Sequence, residues 1–550
     1  MKLWPEKRWA KALVILGCLV FVMVLLHLPI PQKIKIGPDT TVISGPLNPD
    51  GTVNYVAALD AICAKGVTAE NNAAPLLLEA LGPEVIAEKV RDKVLERLAI
   101  RLEPNAPGRF VAWENRTQRQ TPTTTSCPSQ PAEPLEAIAA KKVEKSQQET
   151  TTRPDGELSE DAEKSEDTGP CDGDIMDMLD EGQVHPDLEP WLKENAKALD
   201  LVTQACQRPR LYIPLVSQSD PPTCDDLLLS TNSSMRAVAK ALVMRAGYRH
   251  TQGDLVGAWS DVLTTHRLAR LVAQEPMLIE YLVATAIDSL AATEAQSLAT
   301  HGGLTAQQAK DMLKDMDNLD PVGDLARCFD RSERFYFLDM LTMLRRGRIE
   351  GFGFQGYEQM QMFKESLLDY NLMMRITNKW YDRIVEAEKL PSMEGRKQAL
   401  QALSAEVEAA VQRTVQPGNI AKMVAMGIAG WPARKYVTEG ITNLLLGNLL
   451  PPVEMLVDVE GQYNQRYDLE RLALAMAGYH AQNGRWPREL GELVPAFLEA
   501  IPPDRFSGKA LIYKPTEKGY TLYGVGMNRK DDGGSDVRKR GKDDIVVSVK

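Results

Sequence analysis

Residues 188–450 most restrict what this chain can fold into, because apolar side chains recur there at helical spacing almost without interruption. Within this range, Met235–Leu298 is a run of Ala, Leu and Val at intervals of three and four residues. That spacing gathers apolar side chains on one face of a helix, whereas a half-buried strand requires strict alternation. The chain is therefore predicted to be mainly α, with residues 186–452 forming an irregular, solenoid-like α-helical array.

One helix pair inside this array has a recognisable pattern. Ala246, Gly253-Asp254, Ala258 and Val262 match part of the tetratricopeptide pattern, in which small residues let paired helices approach and Gly-Asp makes the turn. No second copy follows at the expected period of about 34 residues. An irregular array is therefore expected instead of a regular repeat protein.

The N-terminal region contains one predicted membrane span. Residues 12–28 are uninterruptedly apolar and uncharged, which is near the shortest length that crosses a bilayer. Four basic residues precede the span, and only Lys33 and Lys35 closely follow it. This asymmetry predicts a cytoplasmic tail at residues 1–11, with the bulk of the chain exported. The expected location is the inner (cytoplasmic) membrane, in single-pass topology, with the lipid bilayer bound through residues 12–28.

Two other interpretations of the same segment remain. A cleaved signal peptide would need a small-x-small site, and none follows Leu28. A lipoprotein signal would use Ile15-Leu16-Gly17-Cys18, which resembles a lipobox, but the residues after Cys18 stay apolar. An uncleaved signal anchor therefore fits best.

Three further regions separate the span from the array. Residues 29–50 are rich in Pro and predict an extended stem, and residues 51–115 predict a small helical region. Residues 116–185 read as a disordered acidic insertion, because they have too little apolar surface to offset chain entropy. Asp155–Glu189 holds 14 acidic residues and one Lys, so the net charge of -11 belongs to this segment. No long basic stripe occurs, and nucleic acid is not an expected partner.

Motifs that would carry catalysis are absent from the sequence. It contains no H-E-x-x-H, no G-x-S-x-G and no P-loop, and its six His are scattered. His250 and His266 are expected on the polar surface. Residues 351–356 match the dinucleotide fingerprint as a string, but helical sequence precedes them, which favours an interhelical loop. No catalytic or cofactor-binding residue is therefore assigned.

The segment Asp330–Asp339 places carboxylates and guanidiniums one helical turn apart. Paired carboxylates can serve acid–base chemistry, and intrahelical ion pairs explain the same pattern. This segment is the expected location of an active site if the protein is an enzyme. Cys206 and Cys224 flank a Pro-rich loop and could pair in an oxidising compartment, although free buried thiols are the preferred reading.

Residues 453–550 predict a small α+β module. A Leu- and Ala-rich helix runs into Asn483-Gly484-Arg485-Trp486-Pro487, and Pro487 is expected to start a second helix. Strands are predicted at Leu511–Tyr513 and Tyr520–Val525, with an edge strand at Ile545–Val547. This order, together with the Asp504-x-Phe506-x-Gly508 motif and the Asp-Asp-Gly-Gly loop at residues 531–534, resembles the globular head of the major pseudopilins of type II secretion.

The resemblance implies calcium in the loop before the last strand. Carried onto this chain, it makes a set of hard oxygen donors the expected calcium ligands. These are Asn528, Asp531, Asp532, Asp536, Asp543 and Asp544. The alternative is an acidic, Gly-rich turn without a metal, because basic residues crowd the same loop.

The whole layout resembles membrane-anchored envelope proteins of planctomycete-type bacteria, and that resemblance implies no activity. The expected function is a helical scaffold that presents surfaces to other envelope proteins. Two alternatives remain: an enzyme with a site in the helical body, and a component of a secretion or pilus-like assembly.

Overall fold

The structure is a computed structural model that describes residues 33–104, 106–113, 178–179, 182–227, 231–274, 277–348, 368–419, 421–423, 434–450, 453–535 and 542–549. It is mainly helical, as predicted, with one small sheet. The helices up to residue 317 are α1 (Tyr55–Ala64), α2 (Ala74–Leu81), α3 (Glu88–Arg97), α4 (Leu188–Ala205), α5 (Thr231–Thr251), α6 (Leu255–Val272), α7 (Leu278–His301) and α8 (Ala306–Asp317). Those after it are α9 (Leu325–Cys328), a π-helical turn (Phe329–Glu333), α10 (Arg334–Arg345), α11 (Tyr370–Glu388), α12 (Met393–Val415), α13 (Arg434–Leu449) and α14 (Val453–Asn483).

The predicted helix pair is α5 and α6. Gly253 adopts a left-handed φ of 77°, which allows the tight turn, and the Asp254 side chain caps α6 by accepting from the Gly257 N–H. Ala246, Ala258 and Val262 are fully buried, so the small residues do let the two helices approach. The turn and both helices were thus predictable from local sequence.

The longest helix, α14, organises the molecule. It packs on α7 and α8 along one stretch, on α12 along another, and on the sheet through β2 (Tyr520–Gly524) and β3 (Ile545–Val549). One core cluster therefore contains residues of α6, α7, α8, α14 and the sheet together. A second large cluster is formed by α10 to α13 and the start of α14. The C-terminal module and the helical body share α14 as a common core helix.

The small helical region packs on α4, the first helix after the acidic insertion. The Trp191 indole N–H donates to the Val111 carbonyl at 2.8 Å, and the rings of Trp113 and Trp191 meet edge to face. Trp113 also contacts His185, with ring centroids 5.7 Å apart. The two ends of the predicted insertion therefore meet. Residues 114–177 and 180–181, most of that insertion, lie outside the described residues.

The described part of the predicted extended stem, residues 33–50, lies against the helical body. The Asn371 side chain of α11 accepts from the Lys35 N–H at 2.7 Å and donates to the Lys33 carbonyl at 3.2 Å. The buried Asn378 amide donates to the Thr40 carbonyl at 2.7 Å. These amides satisfy backbone polar groups of the segment, which therefore binds along α11.

The sheet is antiparallel, in the order β1-β2-β3, where β1 is Ile512–Pro515. Ile512 pairs with Tyr523, and Leu522 pairs with Val547. Strand positions match the prediction, including β3 at an edge. The helix expected after Pro487 is wrong. Only a 3₁₀ turn forms at Leu490–Leu493, and Pro495, which lacks an N–H, lies two residues after it.

The Asp504-x-Phe506-x-Gly508 motif is structural. Asp504 is buried, and one of its carboxylate oxygens accepts from the Phe506 and Ser507 N–H groups, each at 2.8 Å. Its other oxygen accepts from the Val525 N–H at 2.6 Å, just after β2. A carboxylate with three backbone donors fixes this loop to the end of the strand.

One stretch of the described chain, residues 434–483, is long and apolar enough to cross a membrane by length and composition. More than half of its most apolar window, 53%, is buried inside the protein. We therefore interpret it as core helix. The predicted membrane span at residues 12–28 and the Gly-rich string at residues 351–356 both lie outside the described residues.

Candidate functional site

Five of the six predicted calcium ligands lie in the described part of the loop between β2 and β3, and Asp536 lies outside the described residues. The Asn528 backbone N–H donates to Asp543 Oδ2 at 2.9 Å. Its side-chain amide donates to Asp532 Oδ2 at 2.8 Å, while its Oδ1 accepts from the Lys530 N–H. Asn528, Asp532 and Asp543 are therefore neighbours, linked by hydrogen bonds.

The other two ligands bind the backbone of the Gly-Gly turn. Asp531 Oδ1 accepts from the Gly533 N–H and from the Tyr523 hydroxyl, each at 2.9 Å. These hydrogen bonds hold the pKa of the Asp531 carboxyl group below its ordinary value. Asp544 Oδ2 accepts from the Gly534 N–H at 2.8 Å. Hydrogen bonds from backbone N–H groups to carboxylates therefore hold the conformation of this loop.

The carboxylate and amide oxygens of these residues are of the type that binds calcium. Asp544 is fully buried, and its Oδ1 and that of Asp543 are buried oxygens without a hydrogen-bond partner among the described residues. A buried carboxylate oxygen without a partner is costly, and a bound hard cation would satisfy it. In the part of the chain that the structure describes, no group of three or more His, Cys, Asp and Glu side chains could hold a metal ion. The described carboxylates therefore supply oxygens of the right type without forming a complete metal site.

The carboxylates of Asp330–Asp339 do not share one site. Asp330 is exposed and pairs with Arg334 at 3.1 Å. Glu333 lies against the start of α7, where it accepts from the Leu278 N–H. Asp339 is buried and accepts from the Cys224 N–H at 2.6 Å. The three acids have separate partners, which is what structural ion pairing and capping produce.

Burial raises the pKa values of two acids, Glu280 at the start of α7 and Glu333 in the π-helical turn. Glu280 is 1% exposed, and neither of its carboxylate oxygens has a hydrogen-bond partner among the described residues. Burial raises the pKa of Glu280 to about 7, and the negative charge of Glu333 adds to this effect, although the Glu280 backbone N–H and the nearby Asn232 amide favour the charged form. Burial likewise raises the pKa of Glu333 to about 7. Neither acid lines either of the two pockets described below.

The prediction of a surface position is wrong for His266, which is fully buried on α6. Its Nδ1 lies 2.7 Å from Asp288 on α7, and its Nε2 lies 2.9 Å from Glu470 on α14. Arg270 also pairs with Asp288. Burial disfavours the charged form of His266 and acts to lower its pKa. The negative charges of Glu470 and Asp288 have the larger effect and raise the pKa of His266 to about 9. A doubly protonated imidazole donates to both carboxylates, so this network joins three helices.

A second ionic junction lies where the module meets α14. The Arg505 guanidinium binds Asp468 through two hydrogen bonds, at 2.6 and 3.0 Å. Arg471, one turn further along α14, pairs with Asp317 at the end of α8. Both pairs line an open pocket of about 580 Å³ that also includes Glu499. Because each guanidinium already has a carboxylate partner, this pocket holds no unpaired cation for a ligand.

Free thiols were correctly preferred over a disulfide. Cys206 and Cys224 are both free and buried.

The sequence does not predict the buried ionic residues, because a single His within a helical segment is expected at the surface. One signal in the sequence does point to buried positions: His266, Asp288 and Glu470 each interrupt an Ala- and Leu-rich stretch of helix.

No known protein family, curated protein or solved structure significantly matches this chain.

Proposed function

We propose that this protein is an envelope protein, anchored in the inner membrane through residues 12–28, whose exported body is a rigid scaffold for the C-terminal module. The observation that supports this most is the attachment of both ends of the body. Residues 33–50 bind along α11, and the module is built on α14, which is also a core helix of the body. Neither end is joined by a described flexible linker.

The short connection to the proposed anchor adds to this argument. Only four residues lie between Leu28 and Lys33, and a fully extended chain of that length spans roughly 17 Å. A body that begins at Lys33 is therefore held near the bilayer surface. The scaffold would then present its module at a fixed distance from the membrane.

An irregular helical array describes this scaffold better than an open solenoid does. In a solenoid each repeat contacts only its neighbours. Here α14 packs on α7 and α8, which precede it by more than a hundred residues. This closure favours a compact platform over an extended concave surface.

The proposed partners are other envelope proteins that bind the exposed end of the module. Met527 is 42% exposed and lies beside the exposed Lys530 in the β2–β3 loop. Calcium bound to the same loop is part of the proposal, supported by the unpartnered oxygens of Asp543 and Asp544. A role in a secretion or pilus-like assembly would use this surface too, and the identity of the partners distinguishes the two roles.

The test is crosslinking in cells, followed by affinity purification of the full-length chain. Deleting the region from residue 455 onward would remove α14 and expose the core, so substitutions are preferable. The module variant is Met527→Asp with Lys530→Glu, and the matched control is Val256→Asp with Lys314→Glu on the exposed body. We expect a defined set of envelope proteins that is lost only in the module variant. The same set from all three chains, or no partner from any, would contradict the proposal.

A further inference from the structure

We propose that a basic pocket on the helical body binds an organic phosphate with a short apolar group. The pocket has a volume of about 440 Å³, which is within the range of small-molecule sites. Its lining includes Lys65, Arg210, Arg327 and Arg331. We call it the basic pocket; the inference does not depend on the proposed scaffold function.

The cations of the basic pocket lack carboxylate partners. Lys65, Arg327 and Arg331 are exposed and form no ion pair with any described residue. The one acid in the lining, Asp330, is paired with Arg334. Cations this close together repel one another, so a bound anion would stabilise the arrangement.

Arg210 provides a further donor inside the pocket. Its terminal nitrogen makes only long hydrogen bonds, 3.4 and 3.5 Å, to the carbonyls of Lys65 and Cys63. Its Nε is buried and has no hydrogen-bond partner in the described part of the chain. A buried donor without an acceptor costs about 1–3 kcal/mol in a folded protein, and a phosphate oxygen would satisfy it. Guanidiniums also match the geometry of phosphate oxygens better than ammonium groups do.

Apolar side chains form the rest of the pocket. Ile62 from α1 and Phe335 from α10 lie beside Val42 and Ile43 of the N-terminal segment. Val42 has a left-handed φ of 64°, a rare conformation for a β-branched residue. The Tyr55 hydroxyl and the Asn378 amide bind the carbonyls of Thr41 and Thr40, just before it. The body therefore holds Val42 in a strained conformation in the pocket lining, as occurs at ligand sites.

These features together select the ligand. Four cations with one already paired acid favour a dianionic phosphomonoester over a carboxylate, and the four apolar side chains favour an attached alkyl group over inorganic phosphate. Two sources supply this chemistry: a phospholipid at the bilayer surface and a soluble organic phosphate. Residues 42–43 follow the proposed anchor closely enough for the first.

The test uses the full chain in a neutral detergent, titrated calorimetrically with hexyl phosphate, hexanoate and inorganic phosphate. We expect hexyl phosphate to bind at least tenfold more tightly than either comparison compound. The variant Arg327→Gln/Arg331→Gln should weaken that binding at least tenfold. The control Arg413→Gln/Arg488→Gln removes two exposed, unpaired arginines outside the pocket and should bind like the unmodified chain. Lys65→Gln, at an exposed position on another element, should weaken binding independently of any change in the π-helical turn.

A second arm identifies the source. The full chain is placed in nanodiscs of phosphatidylcholine that contain either no phosphatidic acid or about a third phosphatidic acid, enough to saturate a surface site. Hexyl phosphate is then titrated again. Competition by phosphatidic acid assigns the pocket to a lipid, and unchanged binding assigns it to a soluble phosphate. The proposal is overturned if hexyl phosphate does not bind the unmodified chain, or if the pocket and control variants bind it equally.

Discussion

The Nε2 atom of His266 lies 2.9 Å from Oε1 of Glu470, although 204 positions separate the two residues in the chain. Both side chains are fully buried. The contact joins α6 of the body to α14, which also packs on the sheet. It therefore makes the packing of the C-terminal module depend on a charge in the middle of the body.

Replacing His266 with Ala should destabilise the protein strongly. The substitution leaves Glu470 buried without its cation, and breaking a buried ion pair on one side typically costs about 3–5 kcal/mol. Thermal unfolding of the full chain in detergent measures the loss. His301→Ala at the exposed end of α7 is the matched control. Equal small losses in both variants would mean that the network contributes little.

Replacing Glu280 with Gln should stabilise the protein at pH 8 by about 2 kcal/mol and change little at pH 5. The folded state raises the pKa of Glu280 from 4.5 to about 7, so it keeps a proton that the unfolded chain releases. Stability contributed by this group is therefore present at low pH and is lost as the pH rises from about 4.5 to 7. Gln stays neutral and removes that loss.

Glu408→Gln, at an exposed position on α12, is the control for this experiment. Melting temperatures at pH 5 and pH 8 are compared for the three chains. A Glu280→Gln variant that is less stable than the unmodified chain at pH 8 would show that the carboxylate has a stabilising partner.

Replacing Asn378 with Ala should release the N-terminal segment from α11. Its amide donates to the carbonyls of Asp39 and Thr40, at 3.2 and 2.7 Å. Losing both bonds is expected to cost about 1–3 kcal/mol. Hydrogen exchange measured by mass spectrometry should increase in residues 33–50 and stay unchanged in α14. Lys379→Ala, at the adjacent exposed position, should leave both regions unchanged, and a similar increase in that variant would refute the assigned role.

Calcium should raise the melting temperature of the full chain, and EGTA should reverse the increase. The reason is that calcium would satisfy the buried, unpartnered oxygens of Asp543 and Asp544. Asp543→Asn should abolish the calcium-dependent part of the stability, whereas Asp311→Asn on exposed α8 should preserve it. A melting temperature that ignores both calcium and EGTA would leave the loop as a metal-free acidic turn.

Local signals in the sequence predicted local structure well. The pair α5–α6 follows from apolar spacing and a Gly-Asp turn, and the strands follow from alternation near residues 512–524. The helix expected after Pro487 does not form, because Pro495 lies two residues after the short 3₁₀ turn and cannot donate a helical hydrogen bond. The six calcium ligands stay a prediction, and the structure shows that five of them take part in hydrogen bonds within the loop.

The basic pocket and the clamp on residues 33–50 were not predictable in the same way. Lys65, Arg210 and Arg331 are far apart in the chain and belong to no motif. Asn378 lies within an ordinary amphipathic helix, and only the docked backbone shows why its amide is buried. Such contacts depend on which helices meet, and the spacing of residues within one helix does not determine that.

The sequence by itself determined that this chain is mainly helical, that short strands lie near residues 512–549, and that a strongly acidic stretch divides it. These properties depend on periodicity, turn residues and charge over short distances. Only the tertiary structure decided that α14 belongs to both the body and the module, that His266 is an internal cation between Asp288 and Glu470, and that residues 33–50 bind α11. The physical reason is that a buried polar group is stable only beside a partner, and that partner is brought to it by packing between distant segments.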